Sequence, residues 1–263
     1  MNPPIEDWSG KRVWLLGAST GIGAALAREL LARGARVALS ARNAERLAAV
    51  AGDAEQALLL PCDASDEASL RAAWDQLVAT WGGVDVALYV AGDYTPMRAW
   101  ELDVSKARQM IDVNLVGAVT FAACVVPVLL QQGTGQIGFV ASVAGYRGLP
   151  KSLIYGTTKA ALINFAEALY LDLQTKGIGV RVINPGFVAT PLTEKNDFAM
   201  PTLLTPEQAA RETLAGFAGS AFEIHYPKRF TRVVKLLAHL PYRLYFPLIR
   251  RFVASPEAEG ARK

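Results

Sequence analysis

Along the whole chain, short continuously apolar runs alternate with longer stretches in which apolar residues recur every three or four positions. Arg12–Leu16, Ala35–Ser40, Ala57–Leu60, Val84–Val90, Gln136–Ala141 and Ile178–Ile183 read as strands. They are apolar throughout rather than alternating, the pattern of parallel strands covered on both faces. Between them, Gly23–Arg33, Ala44–Val50, Ser65–Thr80, Ser105–Leu130 and Tyr155–Thr175 carry helical periodicity. Thr205-Pro206-Glu207 opens a further helix, an N-cap followed by proline at the first helical position. Strand and helix in turn, with crossovers this long, predict an α/β fold: a doubly wound parallel sheet of about seven strands in a single domain. No repeat, low-complexity tract or linker interrupts it. The organisation expected is a body over residues 1–227 with a basic amphipathic extension over 228–263.

With 52% hydrophobic and 19% charged residues, the chain is not a disordered one. At 263 residues it buries enough surface to hold a core without disulfides or metal. Cys62 and Cys124 are far apart and form no C-x-x-C, which excludes a disulfide framework. The two histidines, His225 and His239, belong to no H-E-x-x-H, so no metal site is expected. The first residues, M-N-P-P-I-E-D-W, have neither the basic nor the apolar region of a signal peptide. Gly117–Leu130 is strongly apolar but shorter than the roughly 20 residues of a bilayer span, and reads as a buried core or interface helix.

Charge divides the chain more sharply than the net +3 suggests. From Ile224 to Pro256 there are seven basic residues and no Asp or Glu, while the last seven residues cancel; residues 1–223 therefore carry −4. An acidic body argues against nucleic acid as a partner.

Candidate chemistry begins where the first strand ends, in Leu16-Gly17-Ala18-Ser19-Thr20-Gly21-Ile22-Gly23. Glycines here permit a tight turn and close backbone approach, and the following helix offers free N–H groups to a phosphate. The spacing G-x-x-x-G-x-G differs from the common dinucleotide fingerprint G-x-G-x-x-G but works by the same mechanics. The same residues also match G-x-S-x-G, with Ser19 as the nucleophile of a serine hydrolase. That reading requires a later acid and histidine, and only His225 and His239 are available, in or beside the basic tail.

A second signal is Ser142, in Ala141-Ser142-Val143-Ala144-Gly145, followed by Tyr155-Gly156-Thr157-Thr158-Lys159. Tyr155 and Lys159, four apart, share one helix face. An ammonium near a phenol favours the phenolate, which would make Tyr155 an acid/base near neutral pH. Ser142 ends a strand, at the edge where open α/β sheets bind ligands, and its hydroxyl is placed to donate to the oxygen that Tyr155 protonates.

On these motifs the chain resembles the short-chain dehydrogenase/reductase family over roughly residues 9–226, which implies a Rossmann-like fold. Gly17, Gly21 and Gly23, with Ser19, Thr20 and Ile22 among them, fit the family's cofactor loop, although Leu16 stands where threonine is usual. Asp63-Ala64 falls where the family binds the adenine ring, and Ala91-Gly92 fits the end of its N-N-A-G motif. Tyr89-Val90 replaces the two asparagines of that motif, a departure expected to touch local stability more than chemistry. Asn114 fits the helix asparagine that supports the catalytic lysine through water, and Ser142, Tyr155 and Lys159 fit the catalytic positions. Asn184-Pro185-Gly186-Phe187-Val188-Ala189-Thr190 fits the segment gripping the nicotinamide end, which brings Pro185, Gly186, Val188 and Thr190 into the cofactor site with Tyr155 and Lys159.

The second strand runs into Ala41-Arg42-Asn43, without the acid that holds the ribose 2′-hydroxyl of NAD. Ala41 stands at the family's aspartate position, and the guanidinium of Arg42 suits a 2′-phosphate. NADP(H) is therefore the expected cofactor, with Arg42 and Asn43 at its 2′ end; otherwise Arg42 is a solvated charge opening the next helix. The resemblance implies hydride transfer between NADP(H) and a small-molecule carbonyl or secondary alcohol. The contrasting reading is a non-catalytic NADP-binding sensor or scaffold. It also implies a homo-oligomer through the long helices around Ala107–Leu130 and Tyr155–Thr175, and a cytoplasmic enzyme.

Two stretches bear on the substrate. Between Pro191 and Pro206, Leu192, Phe198, Met200, Leu203 and Leu204 read as an apolar lid suited to a lipophilic substrate, or else as an ordinary packed loop. From Lys228 to Val253, two short helical stretches separated by Pro241 and Pro247, each expected to break or kink a helix, carry Arg229, Arg232, Lys235 and His239 beside many apolar and aromatic residues. Three placements stay open: packed on the protein over the substrate mouth, in peripheral membrane contact, or against a partner protein.

Overall fold

In the computed structural model, which describes residues 1–196 and 200–253, seven strands form one parallel sheet in the order β3-β2-β1-β4-β5-β6-β7. They are β1 Arg12–Leu16, β2 Arg36–Ser40, β3 Ala57–Leu59, β4 Val86–Tyr89, β5 Gln136–Val140, β6 Gly179–Pro185 and β7 Glu223–Tyr226. Every residue of β4, β5 and β6 is buried, which is why these runs show no alternation. The helices are α1 Gly21–Ala32, α2 Ala44–Ala51, α3 Glu67–Trp81, α4 Val104–Ile111, α5 Gly117–Gln132, α6 Leu153–Leu173, α7 Pro206–Phe217, α8 Lys228–Ala238 and α9 Tyr242–Val253. This is the single-domain, Rossmann-like α/β fold expected from the sequence. The chain builds outward from β1 to β3, then returns to lay β4 on the other side of β1. That reversal opens a crevice at the carboxyl ends of the strands.

Each sheet face has its own core. One joins Trp14, Tyr89, Phe121 and Phe139 beneath α3, α5 and α6, with the Trp14 ring 4.6 Å from Phe121 and 5.2 Å from Trp74. The other joins Leu15, Leu26, Leu30 and Phe217 beneath α1, α2 and α7. Asn43, Asp66, Asp103 and Thr205 cap helices α2, α3, α4 and α7 by accepting first-turn N–H groups, Thr205 within a capping box closed by Gln208.

The fully buried Arg181 on β6 ties the sheet to the end of α7. Its guanidinium donates to the carbonyls of Gly216, Phe217 and Gly219, to those of Ala221 and Pro3, and to Gln136 Oε1 at 2.8 Å. The negative end of the α7 dipole thus meets a cation. Burial lowers its pKa to about 10, which leaves it charged at neutral pH.

Three expectations are corrected. Ser105–Leu130 is not one helix: a π-helical turn over Asp112–Val116 separates α4 from α5. The stretch Val104–Gln132 is long enough to cross a membrane and its most apolar window, of mean hydropathy 2.3, is apolar enough; half of that window is buried, and the stretch packs against α3 and α6. The short β7 had no counterpart among the expected strands; alternation of half-buried and buried residues over four positions gives little periodic signal. Pro247 does not break the tail, because it sits inside α9 on an exposed face, where water can satisfy the carbonyl it leaves unbonded. Pro241, by contrast, stands between α8 and α9.

Candidate active site

The segments leaving six strands converge on a cleft of about 400 Å³. The loop after β1 supplies Gly17, Ser19, Thr20, Gly21, Ile22 and Gly23; the segments after β2 and β3 supply Arg42, Asn43, Asp63 and Ala64. Ala91 and Gly92 follow β4, Ser142 follows β5, and Pro185, Gly186, Val188 and Thr190 line the cleft at the end of β6. Tyr155 and Lys159 enter from α6. Asn114 does not line the cleft; it is buried directly behind it.

The glycine loop is shaped by close approach. Gly17 has φ +104°, and a Cβ there would lie 2.4 Å from Ala91 N; one on Gly23 would lie 2.1 Å from Gly17 O. Thr20, the N-cap of α1, makes no side-chain capping bond, and the first turn holds no acid. Unlike the capped helices, α1 therefore presents its first N–H groups to the cleft unspent, the chemistry a phosphate needs. Arg42 is exposed at the cleft edge, and Arg46, one turn further on, lines it too. Asn43 reaches the cleft, but its side-chain oxygen is engaged by Arg46 N at 2.8 Å. Burial raises Asp63, but bonds from Ser65 and the nearby Arg42 outweigh it and hold the carboxyl below its ordinary range. These residues fit the phosphates of a nicotinamide dinucleotide.

At the other end, Ser142 and Tyr155 both line the cleft, and Ser142 Oγ accepts from Ala144 N at 3.1 Å. Lys159 is buried, its Nζ donating to Val140 O at 2.9 Å and standing 5.7 Å from the Tyr155 ring centre. The expectation that the lysine draws the phenol toward neutrality is not met here. Burial pushes Tyr155 up to about 12, against a smaller downward pull from Ser142, and pushes Lys159 down to about 8. Loss of hydration outweighs an attraction that the lysine spends on a carbonyl.

Asn114 sits in the π-helical turn. Its Oδ1 accepts Asp93 N at 2.7 Å, and its Nδ2 donates to Asp93 O at 2.9 Å and to Thr158 Oγ1 at 3.0 Å. Thr158 in turn donates to the Tyr155 carbonyl. A Cβ on Gly92 would lie 3.6 Å from both Asn114 Oδ1 and Lys159 Nζ, so the two polar groups flank one bare glycine. Tyr89, in place of an asparagine, is fully buried and donates its hydroxyl to Val113 O, bracing β4 against the π-helical turn.

Several residues escaped sequence reasoning. Tyr94 packs edge-on against Tyr155, with ring centres 4.9 Å apart, and its hydroxyl donates to Asn196 Oδ1. No spacing rule points to it. Arg46 could have been found from its i,i+4 relation to Arg42. Of the expected lid residues, Leu192 lines the cleft, but Leu203 faces solvent and Leu204 packs on the core, its N–H bonded to Phe187 O. Met200 meets the Asn196 amide, and Phe198 lies outside the described residues. Lys195 donates to Tyr94 O at 2.6 Å, which ties the start of this segment to the cleft wall.

The hydrolase reading finds no histidine near Ser19. His225 bonds Thr231, His239 bonds the Lys235 carbonyl, and neither lines the cleft. Burial pushes the thiol of Cys62, at the cleft floor, up to about 11, leaving it protonated. Among the described residues no cluster could hold a metal ion.

Comparison with known proteins agrees with this geometry. The model of the short chain dehydrogenase family matches residues 11–200. An uncharacterized oxidoreductase of Myxococcus xanthus is 30% identical over 251 residues, covering 94% of this chain and 99% of the relative. A short chain dehydrogenase from Burkholderia cenocepacia, solved in complex with NADP, superposes with a TM-score of 0.81 at 22% identity over 95% of this chain and 100% of that one. A 3-ketoacyl-(acyl-carrier-protein) reductase from Brucella melitensis, complexed with NADH, gives 0.76 at 24% identity over 84% and 99%. With fold, cleft and sequence all in agreement, the chain belongs to the short-chain dehydrogenase family of oxidoreductases, which bind nicotinamide cofactors and act on small-molecule carbonyls or alcohols.

Proposed function

We propose that the protein transfers a hydride between NADP(H) and a carbonyl or secondary alcohol carbon, using Ser142, Tyr155, Lys159 and Asn114. The observation that carries this reading is that Ser142, Tyr155 and a buried Lys159 line the same cleft as an uncapped α1 N-terminus. The nicotinamide cofactor, when bound, supplies the hydride. The chain's own part is position and electrostatics. In reduction, Tyr155 Oη delivers a proton to the substrate oxygen while Ser142 Oγ donates a hydrogen bond to it. Lys159 keeps a positive charge under the resulting phenolate, and Asn114 holds the polypeptide on both sides, at Asp93 and Thr158. Leu192 gives this end of the cleft apolar surface, and Tyr94 backs Tyr155 from behind, which supports a hydrophobic substrate. Val116, Val119 and Leu171, exposed on the π-helical turn, α5 and α6, support pairing with a second copy.

NADPH oxidation over a panel of aliphatic and aromatic ketones and aldehydes tests the reaction. Turnover of apolar carbonyls above polar sugars is expected; a protein that binds NADPH and turns over none of them is the non-catalytic sensor instead.

The NADP preference rests on Arg42 and on the missing acid after β2. Arg42→Ala is expected to weaken NADPH by about ten- to a hundredfold, the value of a charge-assisted hydrogen bond, and to leave NADH unchanged. Dissociation constants for both nucleotides check this; equal losses for the two would remove Arg42 from the phosphate site.

A further inference from the structure

The tail is held down on one side and bare on the other. On the inner side, Lys235 pairs with Glu223, which also accepts from Tyr146 and, at 2.7 Å, from Asn184. Phe230 lies 3.0 Å from where a Cβ on Gly186 would stand, with its ring 5.7 Å from that of Phe187. Arg147 donates to Ala238 O and Leu240 O and stacks on Tyr242 and Tyr245 at 4.5 and 4.1 Å; Tyr245 donates to Gly148 O. Apart from Glu223 on β7, these anchors lie on segments 146–148 and 186–187, which follow β5 and β6, the strands that lead into the active site. Among the described residues, none of the tail lines the cleft.

The outer side is of opposite character. Val233, Leu236, Leu244 and Phe246 are each more than half exposed. Around them stand Arg229, Arg232, Arg243, Arg250 and Arg251, all exposed, with no carboxylate between residues 224 and 253. Two consecutive helices pinned by their inner faces thus present exposed apolar side chains interspersed with arginines. A soluble partner of ordinary charge would leave these cations unmatched. An anionic lipid surface matches both features, taking the apolar side chains below its headgroups and the arginines among its phosphates.

We infer that the outer face of α8 and α9 docks this protein on an anionic lipid surface. The helices lie in the interface plane, since neither is long enough to span. Docking brings the loops at 146–148 and 186–187 close to the lipid and gives an apolar substrate a short path into the cleft. The inference stands apart from the reading of the cleft, because binding is measured without turnover.

The test is co-sedimentation of the full chain with phosphatidylcholine vesicles, with and without phosphatidylglycerol, at low and physiological salt, alongside size-exclusion chromatography. The full chain is expected to pellet with anionic vesicles only, less so as salt rises. Leu236→Ser combined with Phe246→Ser, and separately Arg229→Glu combined with Arg243→Glu, are each expected to lower binding at least tenfold. Both should melt as the parent does, since all four side chains are exposed. Protein that stays in the supernatant with both vesicles at low salt overturns the inference. So does undiminished binding by both variants, or a patch variant that only converts a larger oligomer into a smaller one, which would make the covering partner a second copy of this chain.

Discussion

Tyr155→Phe is expected to lower turnover by about 10²–10⁴-fold, the usual contribution of a positioned general acid, while leaving NADPH affinity and the melting midpoint close to those of the parent. The substitution removes one hydroxyl; the ring keeps its edge-on packing against Tyr94. Binding and chemistry should therefore separate, and steady-state kinetics with a nucleotide titration reads both. The pH profile follows from Lys159, which burial brings down to about 8. Below that pH it is charged and supports the phenolate left after proton delivery; above it the support is lost. Reductive turnover should therefore fall on the alkaline side near pH 8. Parent-like turnover in the variant would defeat the mechanism.

Arg181→Ala is expected to cost on the order of 3–5 kcal/mol of stability, a drop in melting midpoint of roughly 10 °C. The change strands five main-chain carbonyls and Gln136 in a place without water, and leaves a cavity beside Phe217, over which the guanidinium stacks at 4.7 Å. Arg181→Lys should recover little, because three donors on one nitrogen cannot reproduce a planar fork that reaches six acceptors. Since β6 carries Pro185 and Gly186 into the cleft, cofactor affinity should fall together with stability. A midpoint within about 2 °C of the parent in thermal melts would show that α7 does not depend on this cation.

What could be read from the sequence was what local rules govern. Buried parallel strands announce themselves as apolar runs, and Gly17, Gly21 and Gly23 mark a turn whose crowding no side chain survives. Ser142, Tyr155 and Lys159 were legible because one helix face joins two of them and a strand end delivers the third. What escaped was what tertiary contact decides. The phenol's acidity depends on whether the ammonium faces the hydroxyl or the Val140 carbonyl, a choice made by burial. Leu203 and Leu204 are neighbours of equal hydrophobicity, yet one meets solvent and the other the core, because Leu204 is paired with Phe187. Tyr94 contributes through packing and hydrogen bonds to residues about a hundred positions away, and four residues of β7 are too few to show a period. The tail's proline pattern misled because exposure, not sequence, decides whether an interior proline is tolerated.

The π-helical turn at Asp112–Val116 gives this part of the chain an unusual sensitivity to length. Such a turn holds one residue more than the α-helical turn it replaces, and each residue advances a helix by about 100°. Losing one residue there would yield a smoother, unbroken helix. It would also rotate α4 against α5, moving the asparagine away from Asp93 and Thr158 and taking Val113 O off the Tyr89 hydroxyl. The helical irregularity is thus a spacer of fixed size: regularising it would favour local helix geometry at the expense of the active site.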